Sequence, residues 1–335
     1  MASRREFMQR CLLAAGAVSI GTTGCGSEIN RRVAEVYTPR YVELEESGEL
    51  ERRERELWSM LESCRLCPRQ CGDPRLLGVA GVCGGTDKFT VSSFGAHHGE
   101  ERPLRGRNGS GTIFFANCSL RCVFCQNWEI AHRGDGREIT HEQLATIMMS
   151  LQNQGCHNIN FVTPTHYVPH IVKALRIAIG RGLRLPTLYN TGGYDSLEVI
   201  KLLDGIIDVY LPDFKYQDSE VAARFSQGAQ NYTEHTAAAI AEMHRQVGVL
   251  ETVEGVAIRG LIIRHLVLPE NLAATDKFVK WVVSELSLET HVNIMGQYRP
   301  MFRANDFPPL NRGVTRAEYD QAMQWAREAG LRNFH

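Results

Sequence analysis

The stretch FFANCSLRCVFCQNWEIAH, Phe114 to His132, places Cys118, Cys122 and Cys125 within eight residues, directly after an apolar run. The run reads as the end of a buried strand and the thiols as the loop that leaves it. Thiolates bind soft metals and iron–sulfur clusters, so a C-x3-C-x2-C loop is a ligand set. A structural zinc site takes four ligands, and this loop supplies three. A ferredoxin-type run would space its cysteines by two residues and set a fourth before proline, which this one does not do. A cubane cluster held by three cysteines leaves one iron free for a small molecule, the mark of a reactive centre rather than a brace.

Working outward, strand-like runs recur at 111–117, 158–163, 186–191, 207–213, 261–269 and 292–298. Amphipathic helical stretches lie at 141–154, 169–180, 196–204, 234–247 and 274–287, with another near 318–329. Thr140 with Gln143, Asp195 with Glu198 and Thr315 with Glu318 have the spacing of capping boxes. Such alternation implies parallel strands joined by right-handed crossovers. The expected fold is α/β: a partial (β/α)6 TIM-like barrel, open on one side, with a Cys-rich N-terminal extension. The strand ends carry the cysteine loop, TPTH, NTGG, PDFK and GQYRP, and the fifth strand includes RH. Barrel enzymes build their sites on that C-terminal face.

With 335 residues, 43% apolar and 22% charged, the chain has ample core. Its net charge of −1 argues against a nucleic-acid-binding or membrane-coating surface. No run approaches the roughly 18 apolar residues of a membrane span, and no solenoid period is present. Four units are expected: a leader over 1–25, a charged helix or linker over 26–63, a Cys-rich segment over 64–106 and the barrel over 107–335. The leader, with Arg4, Arg5 and Phe7 before a modest apolar run, resembles a twin-arginine export signal. TTGC ending at Cys25 resembles a lipoprotein box, which would anchor the protein by lipid; a frayed basic arm on a cytoplasmic protein is the alternative.

Of ten cysteines, Cys64, Cys67, Cys71 and Cys83 form a second group, C-x2-C-x3-C-x11-C. Four sulfurs in about 20 residues satisfy zinc or a second cluster, and disulfides formed after export are the third option. Cys156 reads as a buried core thiol, and His166 and His170 as surface or satisfied polar residues.

CSLRCVFC resembles the signature of the radical S-adenosylmethionine superfamily. From about Cys64 onward, CQNWE, NFVTPTHYVP, YNTGGYDS, LPDFKY and RHLVLP together resemble the PflX-like branch of pyruvate formate-lyase activating enzymes. The resemblance implies an oxidoreductase in which Cys118, Cys122 and Cys125 hold a [4Fe–4S] cluster whose unique iron is chelated by S-adenosylmethionine. Reductive cleavage would yield a 5′-deoxyadenosyl radical that abstracts hydrogen, in the activases from a glycine of a partner protein. Phe124 would pack on adenine. The family's GGE-type segment is replaced by Thr163, Pro164 and Thr165, whose hydroxyls could accept the cofactor's amino group. Asn190, Thr191 and Gly192 match a TNG-like segment near the methionine moiety, Asp213 and Lys215 a D-x-K element facing the zwitterion, and His265 a cofactor-facing histidine. Arg264 is read equally as an ion-pair partner. A low-potential electron donor such as flavodoxin or ferredoxin is implied, and a protein substrate is open. The competing expectation is an exported iron–sulfur or zinc protein that carries electrons and catalyses nothing.

Overall fold

The computed structural model describes residues 25–335, with side chains from Glu28 onward. The leader reading over residues 1–24 lies outside the described residues, and Cys25 is described only as the backbone start of a helix. Among the described residues nine strands form one sheet: β1 (Phe89–His97), β2 (Ser110–Phe115), β3 (Arg137–Ile139), β4 (Ile159–Val162), β5 (Thr187–Thr191), β6 (Val209–Pro212), β7 (Glu251–Val253), β8 (Val256–Leu266) and β9 (His291–Met295). Their order is β3-β1-β2-β4-β5-β6-β8-β7, with β9 paired to β8. The series β2-β4-β5-β6-β8-β9 is parallel throughout, and these are the six strands expected from sequence. The sheet curves without closing, so the fold is a partial TIM-like barrel.

The alternation of side chains across each strand divides the interior. One face carries Ile113, Phe161, Tyr189, Tyr210 and Ile263 into the main core, where Leu144, Met148, Leu175 and Val279 from the helices meet them. The other face begins with a small apolar cluster of Leu188, Val209, Leu211, Ala257 and Ile262, joined by Leu104. Two residues further along, β5 and β8 present Asn190 and Arg264. The concave side therefore has an apolar floor and a polar layer above it.

Differences from the sequence expectation are local. The segment 64–106 is not loop throughout, because β1 pairs antiparallel with β2 and carries β3 on its far edge. Residues 26–63 are not a solvated linker. They form helices Cys25–Val36, Tyr41–Glu46 and Glu49–Ser59, in which Tyr41, Leu50 and Leu57 are fully buried. Tyr41 donates to the Leu185 carbonyl at 2.8 Å, and Arg176 ties Glu45 and Glu54 to the barrel helix Val168–Gly180. The amphipathic charge pattern thus marks an outer face only. The capping boxes at Thr140 and Thr315 form. The one at Asp195 does not: Ser196 stands at that N-cap, and Asp195 is turned inward.

Candidate active site

Asn117 and Arg121 adopt left-handed backbone (φ 70° and 55°), bending the chain after β2 into a tight loop. Its cysteines are free; Cys122 is buried, and Cys118 and Cys125 are half-buried. The Leu120 amide donates to Cys118 Sγ at 3.4 Å, and the Ser226 hydroxyl donates to Cys122 Sγ at 3.2 Å. Burial pushes the Cys122 thiol up, and pushes Cys125 to about 12, with Cys122 and Cys118 adding to the effect. Metal binding at Cys122 and Cys125 must therefore displace protons.

Three further strand ends meet this loop. After β5, Gly192 lies against Leu120 and Lys215, and Gly193 (φ 81°) approaches so closely that a Cβ would run into the Asp213 carbonyl. After β6, Lys215 is ion-paired with Asp213. Burial opposes the Lys215 ammonium, but Asp213 and Cys122 outweigh it, so its pKa is raised. Tyr232 fixes the arrangement, accepting from the Lys215 amide at 2.9 Å and lying 3.0 Å from the Gly192 carbonyl. After β4, Thr163 occupies φ 60°, a strained position for a β-branched residue, and its amide donates to the Asn190 carbonyl at 2.8 Å.

Asp195 is the residue that sequence reasoning missed here. Fully buried, it accepts hydrogen bonds from Thr165 (2.7 Å), Thr191 (2.7 Å) and Tyr189 (2.9 Å). Its burial raises its pKa against these donors. Thr191 Oγ1 also accepts from the Gly193 amide at 3.2 Å and lies 3.1 Å from Thr165 Oγ1, so the cluster pins the turns after β4 and β5 from the core face of the sheet. Phe124 is buried edge-on against Tyr216 and Tyr298, with ring centroids at 6.3 Å and 5.8 Å.

His265 does not face this site. Its Nδ1 meets the Phe214 carbonyl at 2.7 Å, its Nε2 meets Thr275 Oγ1 at 2.9 Å, and its ring stacks on Phe278. Strand parity explains the correction: Arg264, one residue earlier, points inward. It is bound by Glu100 and Glu101, with Nε 2.7 Å from Glu101 Oε1, and its Nη1 is 3.5 Å from Asn190 Oδ1. The ion-pair reading of Arg264 holds, and neither Asn190 nor Asp213 caps a helix. His166 and His170 are buried rather than on the surface, and Cys156 is a fully buried thiol.

The upstream cysteines lie beside this loop. Burial raises the Cys67 thiol to about 12, with Cys83 and Cys64 contributing; Cys83 in turn feels Cys64 and Cys118. Arg69, between Cys67 and Cys71, donates to the Ser119 carbonyl at 2.5 Å, to Leu120 at 3.4 Å, to Ser226 at 3.2 Å and to Gln227 at 2.9 Å. Asn117 Nδ2 reaches the Gly84 carbonyl at 3.4 Å and the Tyr167 hydroxyl at 3.1 Å. Among the described residues, no three His, Cys, Asp or Glu side chains are placed to hold one metal ion. In a cubane each cysteine binds a different iron, and the three free thiols of this loop would supply one such ligand each.

The sequence profile of the Radical SAM superfamily matches residues 112–281, just over half of the chain. An uncharacterized protein of Methanocaldococcus jannaschii is 31% identical over 283 residues, covering 82% of this chain and 77% of its own length. A structure of TYW1 with a lysine-pyruvate adduct bound aligns with a TM-score of 0.42 at 12% identity, over 65% of this chain and 73% of that one.

Proposed function

The chain belongs to the Radical SAM superfamily, an enzyme family of S-adenosylmethionine cleavage at a [4Fe–4S] cluster, and on that premise we propose that it abstracts hydrogen from a polypeptide, as a glycyl-radical activase does. When bound, the cluster supplies the electron that splits the sulfonium C–S bond and so generates the abstracting radical. Cys118, Cys122 and Cys125 would be its ligands; the Ser226 hydroxyl donates to the Cys122 sulfur and the Leu120 amide to the Cys118 sulfur, which orients both. The Asp213–Lys215 pair would offer both charges to a zwitterionic cofactor, and Asp195, by holding Thr165 and Thr191, fixes the turns after β4 and β5 beside it. Asn190 and Thr163 border the same mouth, and Phe124 with Leu120 excludes water from it.

The single observation behind the chemistry is the free three-thiol loop at the C-terminal mouth of the parallel strands. The unclosed sheet supports a polypeptide substrate, since its two sides do not pair with each other and leave a gap that a chain segment could approach. We further propose that Cys64, Cys67, Cys71 and Cys83 hold a second metal group, with iron, sulfide and zinc analysis separating a cluster from zinc. Anaerobic reconstitution with iron and sulfide, followed by dithionite and S-adenosylmethionine, tests the main reading. 5′-Deoxyadenosine should form, and Cys122→Ala should abolish it; no product from a fully loaded wild type refutes the assignment.

A further inference from the structure

Outside the barrel mouth, one groove of about 580 Å³ is walled by Arg121, Arg133, Arg224 and Arg303 together with Trp128, Phe302 and Phe307. Its lining contains no carboxylate. Arg133 and Arg303 pair with Asp135 and Asp306, but both acids lie outside the groove. On a chain of net charge −1, this is a local concentration of positive charge.

The groove is the reverse side of the cysteine loop. Arg121 and Val123, which line it, flank Cys122, whose sulfur points instead to Ser226. The Val123 amide donates to the Phe225 carbonyl at 2.9 Å, and the Arg303 amide donates to the Val123 carbonyl at 2.9 Å, so the wall and the loop are one backbone unit. Aromatic rings lead inward. Trp128 stacks on the exposed Phe302 at 5.5 Å, Phe302 packs on His132 at 4.4 Å, and His132 Nε2 lies 3.1 Å from the Cys122 carbonyl.

Resting on the functional reading above, we propose that this groove docks an acidic protein carrying a one-electron redox cofactor. Charge complementarity steers such a partner to one face, and redox encounters are small and transient, which suits a shallow groove. One electron leaves the donor's reduced cofactor, which is thereby oxidised by one electron, and arrives at the group held by Cys118, Cys122 and Cys125. No proton or bond is exchanged with the donor. The path crosses a single thickness of loop.

The test uses the reconstituted holoenzyme with a purified acidic flavodoxin, reduced to its hydroquinone, as the probe donor. In the double variant Arg224→Glu, Arg303→Glu, flavodoxin-driven formation of 5′-deoxyadenosine should fall at least about tenfold. Dithionite-driven formation should stay within about twofold of wild type, because a small reductant needs no docking. Raising the salt concentration should slow the flavodoxin reaction of wild type and leave the variant nearly flat. Equal flavodoxin rates in both proteins overturn the proposal. So does an equal loss with dithionite, which would make the groove part of the substrate or cofactor site. Binding is followed separately by broadening of flavodoxin resonances on titration. Absent wild-type binding, or binding that the variant does not weaken, overturns the docking surface even where no turnover is seen, whereas failed turnover with intact, Arg-dependent binding overturns only the catalytic reading.

Discussion

Arg69→Met asks whether the upstream segment physically supports the cysteine loop. The guanidinium reaches four carbonyls, two at 2.5 Å and 2.9 Å and two at 3.2 Å and 3.4 Å. Hydrogen bonds from a charged donor contribute about 1.5–3 kcal/mol each, and the half-buried setting and the two long contacts argue for the low end. Counting the two short bonds gives about 3 kcal/mol, acting on opening of the loop rather than on global unfolding. Because 1.4 kcal/mol is tenfold, loop opening should become roughly a hundredfold more frequent. Methionine keeps most of the stem packing, so lost bonding is isolated from lost volume. Cys122 is buried and reacts with iodoacetamide only from the open form, so in the metal-free protein its alkylation rate reads the opening directly. Exchange of the amides from Ser119 to Cys125 gives a second readout. Cys122 alkylation that changes by less than about threefold, with Arg69→Met still folded, refutes the clamp.

Arg264→Met should cost about 3–5 kcal/mol in urea denaturation, since Glu100 and Glu101 would be left buried without their counter-ion; a loss below 1 kcal/mol would contradict that accounting. Arg264→Lys, lacking the planar fork, should recover only part. Burial raises Asp208 to about 7 against the donors Tyr37 and Thr187. A carboxyl with its folded pKa raised contributes fully below its unfolded value near 4 and loses that contribution as pH rises through about 7. About three pH units at 1.36 kcal/mol each set an upper bound near 4 kcal/mol. Asp208→Asn should remove this part of the decline between pH 4 and 7, and parallel wild-type and variant profiles would exclude it. Cys67→Ser should lower the bound metal by the content of the upstream group; metal content equal to that of wild type would refute a metal group there.

The parallel framework was legible because its signals are local. Six apolar runs with polar ends recur at regular spacing, and the three thiols stand in fixed register after the first. β1 was hidden because FTVSSFGAH breaks its alternation at the bulge between Val91 and Ser93 and sits among glycines. Asp195 imitated a helix cap through its spacing to Glu198, and only the folded chain brings Thr165, Tyr189 and Thr191 around it. His265 was misplaced by one step of strand parity, which neighbouring residues of similar polarity do not reveal. Arg69, Ser226 and Tyr232 had no sequence signal, since each acts on backbone or sulfur supplied by a distant segment.

The apolar cluster of Leu104, Leu188, Leu211 and Ile262, overlaid by the Glu100–Glu101–Arg264 tie, plugs the end of the strands away from the cysteine loop. Exchange of small molecules with the loop is thereby confined to the strands' other end and to the gap that the unclosed sheet leaves at its side, so a bulky polypeptide seated over that end would leave the side gap as the route for anything smaller.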